Sequence, residues 1–134
     1  MLNPFPELLS FSLLGPLVLR LVLGLIFVDL GVLKFKAERS RWISSFKALH
    51  LNPAEIFVSG FGLIEVVGGF LLIIGAWTQI VALVFIVLVG LELYVEYRDA
   101  SILKRDFTFY LLVLAIAISL LLSGAGAYAF DIPL

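Results

Sequence analysis

The chain has no cysteine, one histidine and a single methionine, the initiator. Disulfides, thiol redox relays and iron–sulfur ligation by this chain are therefore excluded, and no axial pair is left for haem. Charge is scarce too. Charged residues make up 14% of the sequence, against about 25% in soluble domains. The net charge of −1 gives no electrostatic case for nucleic acid as a partner. The first ten residues carry Glu7 and neither Lys nor Arg, which is unlike the basic start of a cleaved targeting signal.

Hydrophobicity is abundant: 63% of residues are apolar, against about 45–50% in a soluble domain. Four apolar runs stand out, at about 13–35, 55–77, 78–97 and 107–123. At 1.5 Å of rise per residue, each approaches or exceeds the roughly 20 residues that cross a bilayer. The reading is an all-α integral membrane protein, with residues 1–134 forming one four-helix transmembrane bundle. Pro4, Pro6 and Pro16 predict a short interfacial segment ahead of the first span. Between the first two spans, segment 37–51 sets Trp42, Ile43, Phe46, Leu49 and His50 at helical spacing. That pattern predicts an amphipathic helix lying on the membrane surface, ended by Asn52-Pro53.

The basic residues are one-sided. Lys34, Lys36, Arg39, Arg41, Lys47, Arg98, Lys104 and Arg105 all fall between spans one and two or between spans three and four. The 77–79 turn and both terminal segments have none. The positive-inside rule then puts both charged connections in the cytoplasm and both termini outside a multi-pass cell-membrane protein. Trp77, Tyr128 and Phe130 would mark the outer boundary, and Trp42, Tyr94 and Tyr97 the inner one.

Against this background Glu65 is out of place, since a carboxylate in a span costs about 2.5–3.5 kcal/mol on insertion scales. Counted from the outer surface, Arg20 lies roughly 12 Å deep, Glu65 about 18 Å, Glu92 and Tyr110 about 21 Å and Asp29 about 25 Å. These five form a candidate intramembrane polar cluster. Arg20, Gly24, Phe27 and Gly31 make one helical stripe, and Gly62, Glu65, Gly68, Gly69 and Leu72 a second. Small residues let helices approach closely in lipid, so the stripes are expected to face each other and bring Arg20 within reach of Glu65. Asp29, half-way round the helix from Arg20, should address another neighbour, and Glu92 is the candidate to share a cavity with Glu65. Two readings stay open: an Arg20–Glu65 pair that fixes helix register, or a proton-handling or ligand site built on Glu65 and Glu92. Gly75 joins the other glycines as a packing position, and no metal site is expected.

The chain resembles the DoxX family of small four-helix membrane proteins. Arg20-x3-Gly24-x2-Phe27-x3-Gly31-x2-Lys34 is similar to the family's opening pattern. Glu65-x2-Gly68-Gly69-x-Leu71-Leu72-x2-Gly75-x2-Thr78 is similar to its core, and Gly124-x-Gly126-x-Tyr128-x2-Asp131 to its close. Where the family often carries arginine, this chain has Gln79 and Ala127. The same glycine and glutamate pattern also resembles the MauE-type proteins of methylamine utilisation. The DoxX resemblance implies a membrane subunit associated with redox chemistry, and it singles out Arg20, Lys34, Glu65, Gly68 and Gly69.

With no self-contained catalytic motif and no assignable catalytic residue, the chain is expected to be at most a subunit of a quinone-linked oxidoreductase. Quinone is the candidate ligand, and the lipid bilayer, a redox partner subunit and further copies of the chain are the candidate partners. Two alternatives are a small proton-coupled transporter and a structural assembly subunit of a membrane complex.

Overall fold

The structure, a computed structural model, describes residues 4–50, 52–98 and 107–131. Lys104 and Arg105 of the second charged connection lie outside the described residues. After a 3-10 turn over Pro6–Phe11 come five helices: α1 (Leu14–Phe35), α2 (Arg39–Ala48), α3 (Ala54–Ile74), α4 (Thr78–Arg98) and α5 (Phe107–Ser123). By length and composition α1, α3 and α4 can each cross a membrane; α5 is equally apolar but shorter, at 17 residues. The fold is an all-helical membrane bundle, with the short α2 between the first two long helices.

Local sequence explains the boundaries. Pro16 falls in the first turn of α1, where its missing N–H costs nothing. Pro53 sits in extended geometry immediately before α3. The third helix stops at Ile74, three residues short of the end of the apolar run. Gly75 takes a left-handed conformation, φ 74°; its amide donates to Leu72 O and that of Ala76 to Leu71 O, the paired bonds of a Schellman ending.

The closest helix packing joins α1 to α3, and glycines make it so. A Cβ on Gly24 would lie 2.7 Å from the Gly69 carbonyl oxygen, and one on Gly31 2.7 Å from that of Gly62. The two antiparallel backbones are in direct contact, as small residues allow in lipid. Gly68 instead accommodates the ring of Phe85 from α4. Helices α4 and α5 form a second close pair. A shared core runs through Leu23, Phe27, Leu72, Phe85, Val113 and Leu120, with Phe27 and Phe85 stacked at 3.6 Å between centroids. Leu25, Leu63, Phe70, Ile80 and Leu112 are exposed, the lipid-facing surface of a membrane bundle.

Candidate functional site

The α2 end of the bundle holds three ionisable side chains in mutual contact. Lys34 Nζ donates to Glu65 Oε1 and Oε2 at 2.7 and 2.8 Å and to Glu92 Oε1 at 2.6 Å. Exposure is 2% for Lys34, 0% for Glu65 and 2% for Glu92. Each comes from a different helix, so α1, α3 and α4 together position the site. The Lys34 ammonium also lies 4.5 Å from the centre of the Trp42 ring, which α2 supplies.

At the opposite end, Arg20 is equally buried, and its guanidinium donates to backbone carbonyls. Nη1 donates to Leu72 O and Ile73 O at 3.3 and 3.1 Å, and Nη2 to Ala127 O and Tyr128 O at 3.0 and 2.6 Å. The first two are terminal carbonyls of α3, where the helix dipole is negative and intrahelical donors run out. The other two belong to a strap formed by the segment after α5. The strap is also held by Ala127 N–H to Leu13 O, Phe130 N–H to Ile74 O and Asp131 N–H to Gly75 O. The Asp131 carboxylate accepts from the amides of Trp77 and Thr78 at 2.9 and 2.7 Å, capping α4 from far along the chain. Burial alone would raise the Asp131 carboxyl; the Thr78 and Trp77 amides and the Arg20 charge outweigh it and hold it below the ordinary carboxylate value.

The expected Arg20–Glu65 contact is therefore corrected: Lys34 is the cation beside Glu65. Gly24 against Gly69 and Gly31 against Gly62 set the register, in which Arg20 is level with Ile73 and Glu65 with Val28. Helical side chains lean toward their own N-terminus. In an antiparallel pair, Arg20 thus leans away from Glu65, whereas Lys34 and Glu65 lean toward each other. Asp29 is exposed on α1, away from the buried triad. Tyr110 is buried in the apolar core, edge-on to Phe109 at 5.6 Å. Of the five expected members of one polar layer, Glu65 and Glu92 share Lys34 as a partner, whereas Arg20 sits toward the other end of α1 and Asp29 on its exposed side.

Two further residues gain roles in the structure. Lys34, which the family pattern singles out and the charge pattern assigns to the connection, extends the Arg20, Gly24, Phe27, Gly31 stripe by one more step. Trp42 counted as an interface marker, yet it is 2% exposed and packs on that lysine. Between α3 and α4 a lipid-side groove of about 490 Å³ is lined by Ile64, Val67, Gly68, Leu71, Val81 and Phe85. Its lining is apolar, and it shares both helices with the triad.

Comparison with known proteins agrees on the family. The DoxX family model matches residues 15–95, which include all three members of the triad. Among curated proteins, the chain is similar to one from Bacillus subtilis (strain 168) named "Putative oxidoreductase CatD". The two are 30% identical over 123 residues, covering 91% of this chain and 87% of that protein. No solved structure matches the chain. On the family match, the chain belongs to the DoxX family.

Proposed function

We propose that this protein is the membrane-embedded member of a redox system, and that Lys34, Glu65 and Glu92 handle the proton that accompanies electron transfer to a lipid-soluble carrier of the quinone class. One observation carries this reading: a single buried ammonium contacts two buried carboxyl groups. With all three ionised the site would hold one uncompensated negative charge inside the bilayer, at a cost of several kcal/mol. It is neutral when one carboxyl keeps a proton and the other pairs with Lys34. A site of that kind gives up and regains one proton with little rearrangement, since Lys34 can shift its bonds between the two partners.

The name of the Bacillus relative supports the redox association. Electrons would come from a partner, because the chain offers no cysteine and one histidine. Two electrons from that partner and two protons convert a quinone to its quinol, and the triad would deliver the protons singly. The apolar groove between α3 and α4 gives such a carrier a place beside the helices that bear Glu65 and Glu92. In this reading the α2 end faces the cytoplasm, as the basic residues on that side favour.

The test is quinone turnover in native membranes with Glu65→Gln, alongside lipid extraction of protein purified in native lipid discs. Turnover should fall about a hundredfold or more, the usual weight of a positioned proton donor, and the extract should contain quinone. Unchanged turnover together with a quinone-free extract would sink the proposal. A pH-driven flux in liposomes that disappears in Glu65→Gln would identify a proton-coupled carrier instead.

A further inference from the structure

The triad is closed in two different ways on its two sides. Toward the strap end, Phe27 of α1 stacks on Phe85 of α4, with an interplanar angle of 16°. Leu30 and Leu88, both buried, belong to the same apolar core. Phe27 is two helical turns from Lys34 along α1, and Phe85 two turns from Glu92 along α4, so the stack lies on the strap side of both residues. Both rings are carried by long helices.

Toward the other end, among the described residues, a side chain of the short helix α2 covers the site. The Trp42 ring lies over the Lys34 ammonium. Its indole N–H points to Glu38 Oε2 at 3.4 Å, a long contact. Phe46 meets the ring edge-on at 6.0 Å, and Ala54, Val58 and Val95 complete a small apolar cluster separate from the main core. Helix α2 has ten residues and no side-chain cap at its start, too short to be stable by itself. It is held by this cluster and by polar contacts of its side chains, among them the Arg39 Nη1 bond to Ser59 Oγ at 3.1 Å. A short element docked at the end of a bundle opens at lower free energy than the long helices it covers.

We infer that Trp42 is the gate of the Lys34–Glu65–Glu92 site: α2 lifts from the bundle end, the indole leaves Lys34, and water reaches the carboxyl groups from that face alone. Among the described residues, the charged groups facing the opening are then Lys34 from α1, Glu65 from α3, Glu92 from α4 and Glu38 at the start of α2. Cation–π contact makes the closed state specific for an aromatic at position 42, since an aliphatic side chain offers the ammonium no electron-rich face. The inference rests on the proposed proton role of the triad for its purpose, but its geometry can be tested without it.

The natural absence of cysteine permits a direct test. Leu30→Cys places a thiol one turn behind Lys34, inside the gate. In lipid nanodiscs, with both faces open to water, a charged water-soluble methanethiosulfonate reagent reports access to that thiol. Adding Trp42→Ala should raise the labelling rate about tenfold. Trp42→Phe should leave it near the parent rate, and Phe85→Leu should not raise it. Equal labelling with and without Trp42→Ala, or an equal rise in Phe85→Leu, would overturn the gate. If Trp42→Ala fails to fold, Phe46→Ala loosens the same helix without removing the Trp42 ring and must give the rise. In parallel, a lipid-soluble carbodiimide, which reacts with protonated carboxyl groups, reports on Glu65 and Glu92 in the unsubstituted protein. Absence of that adduct counts against the proton role, whereas the thiol labelling judges the gate alone.

Discussion

Arg20 and Lys34 stand at opposite ends of the same helix, both buried and both cationic, yet they are neutralised by different chemistry. Arg20 is surrounded by four carbonyl oxygens, which are dipoles and hold no proton to exchange. Its charge is permanent, and the arrangement can only tie segments together, α3 on one side of the fork and the strap on the other. Lys34 contacts two carboxyl groups, which in the proposed role exchange a proton. The strap end therefore serves as a tie, whereas the α2 end would, on that proposal, change its charge. The glycines separate these roles along the helix, since Gly24 and Gly31 lock α1 to α3 between the two centres.

The largest effect expected from breaking this contrast is at the triad. Lys34→Met leaves two buried carboxyl groups without their cation and should cost about 3–5 kcal/mol, read as thermal unfolding in mild detergent. Replacing all three residues with apolar side chains of similar volume should restore stability to within about 1 kcal/mol of the natural chain, or exceed it. If the triple replacement were as unstable as Lys34→Met, the site would matter through packing rather than through charge balance. Single Glu65→Gln or Glu92→Gln changes should be mild in stability, since each leaves one cation facing one carboxylate.

A smaller loss is expected at the strap end from Arg20→Lys. The charge is kept, but an ammonium cannot span both carbonyl pairs as the planar fork does. Loss of one charge-assisted bond should cost about 1.5–3 kcal/mol, and the tail after Ser123 should become more sensitive to limited proteolysis. Gly75→Ala tests the same contact from the other side, because a Cβ there would collide with Arg20 Nη1 at a left-handed backbone position.

How much of this could be read from the sequence depends on what signal each feature leaves. The apolar runs mark the long helices because lipid demands them, and the glycine stripes mark the α1–α3 contact because few other residues permit it. Asp29 was harder, since lipid-facing and core-facing sides of a membrane helix are both apolar and periodicity does not separate them. Pairing Arg20 with Glu65 followed from the depth of their Cα atoms and omitted the lean of the side chains, which decides partners when helices run antiparallel. Lys34 was obscured by lying where the hydropathy falls, among the charges of the connection. The Asp131 cap joins residues more than fifty positions apart, and no local pattern could place that carboxylate on the start of α4.

Asp131 also gives the finest test of the difference between the two ends. Its carboxyl is held below the ordinary aspartate value in the folded protein, chiefly through the Thr78 and Trp77 amides working against burial. A carboxyl lowered in this way stabilises the fold at pH above about 3.9, its unfolded value, and the contribution is lost as pH falls through the lower folded value. The effect should be about 1 kcal/mol or less, the scale of one helix cap partly open to solvent. Trp77, whose amide is one of the two capped, provides the readout in a Trp42→Phe background, where it is the remaining tryptophan. Its fluorescence during acid titration should report loosening of the strap below about pH 4. Asp131→Asn should show the loosened signal at neutral pH and converge with the parent at low pH, where both lack the charge. A titration unchanged by Asp131→Asn would mean that Arg20 and the strap carbonyls hold this end without the cap. The permanent charge of Arg20 would then account for the whole of its rigidity.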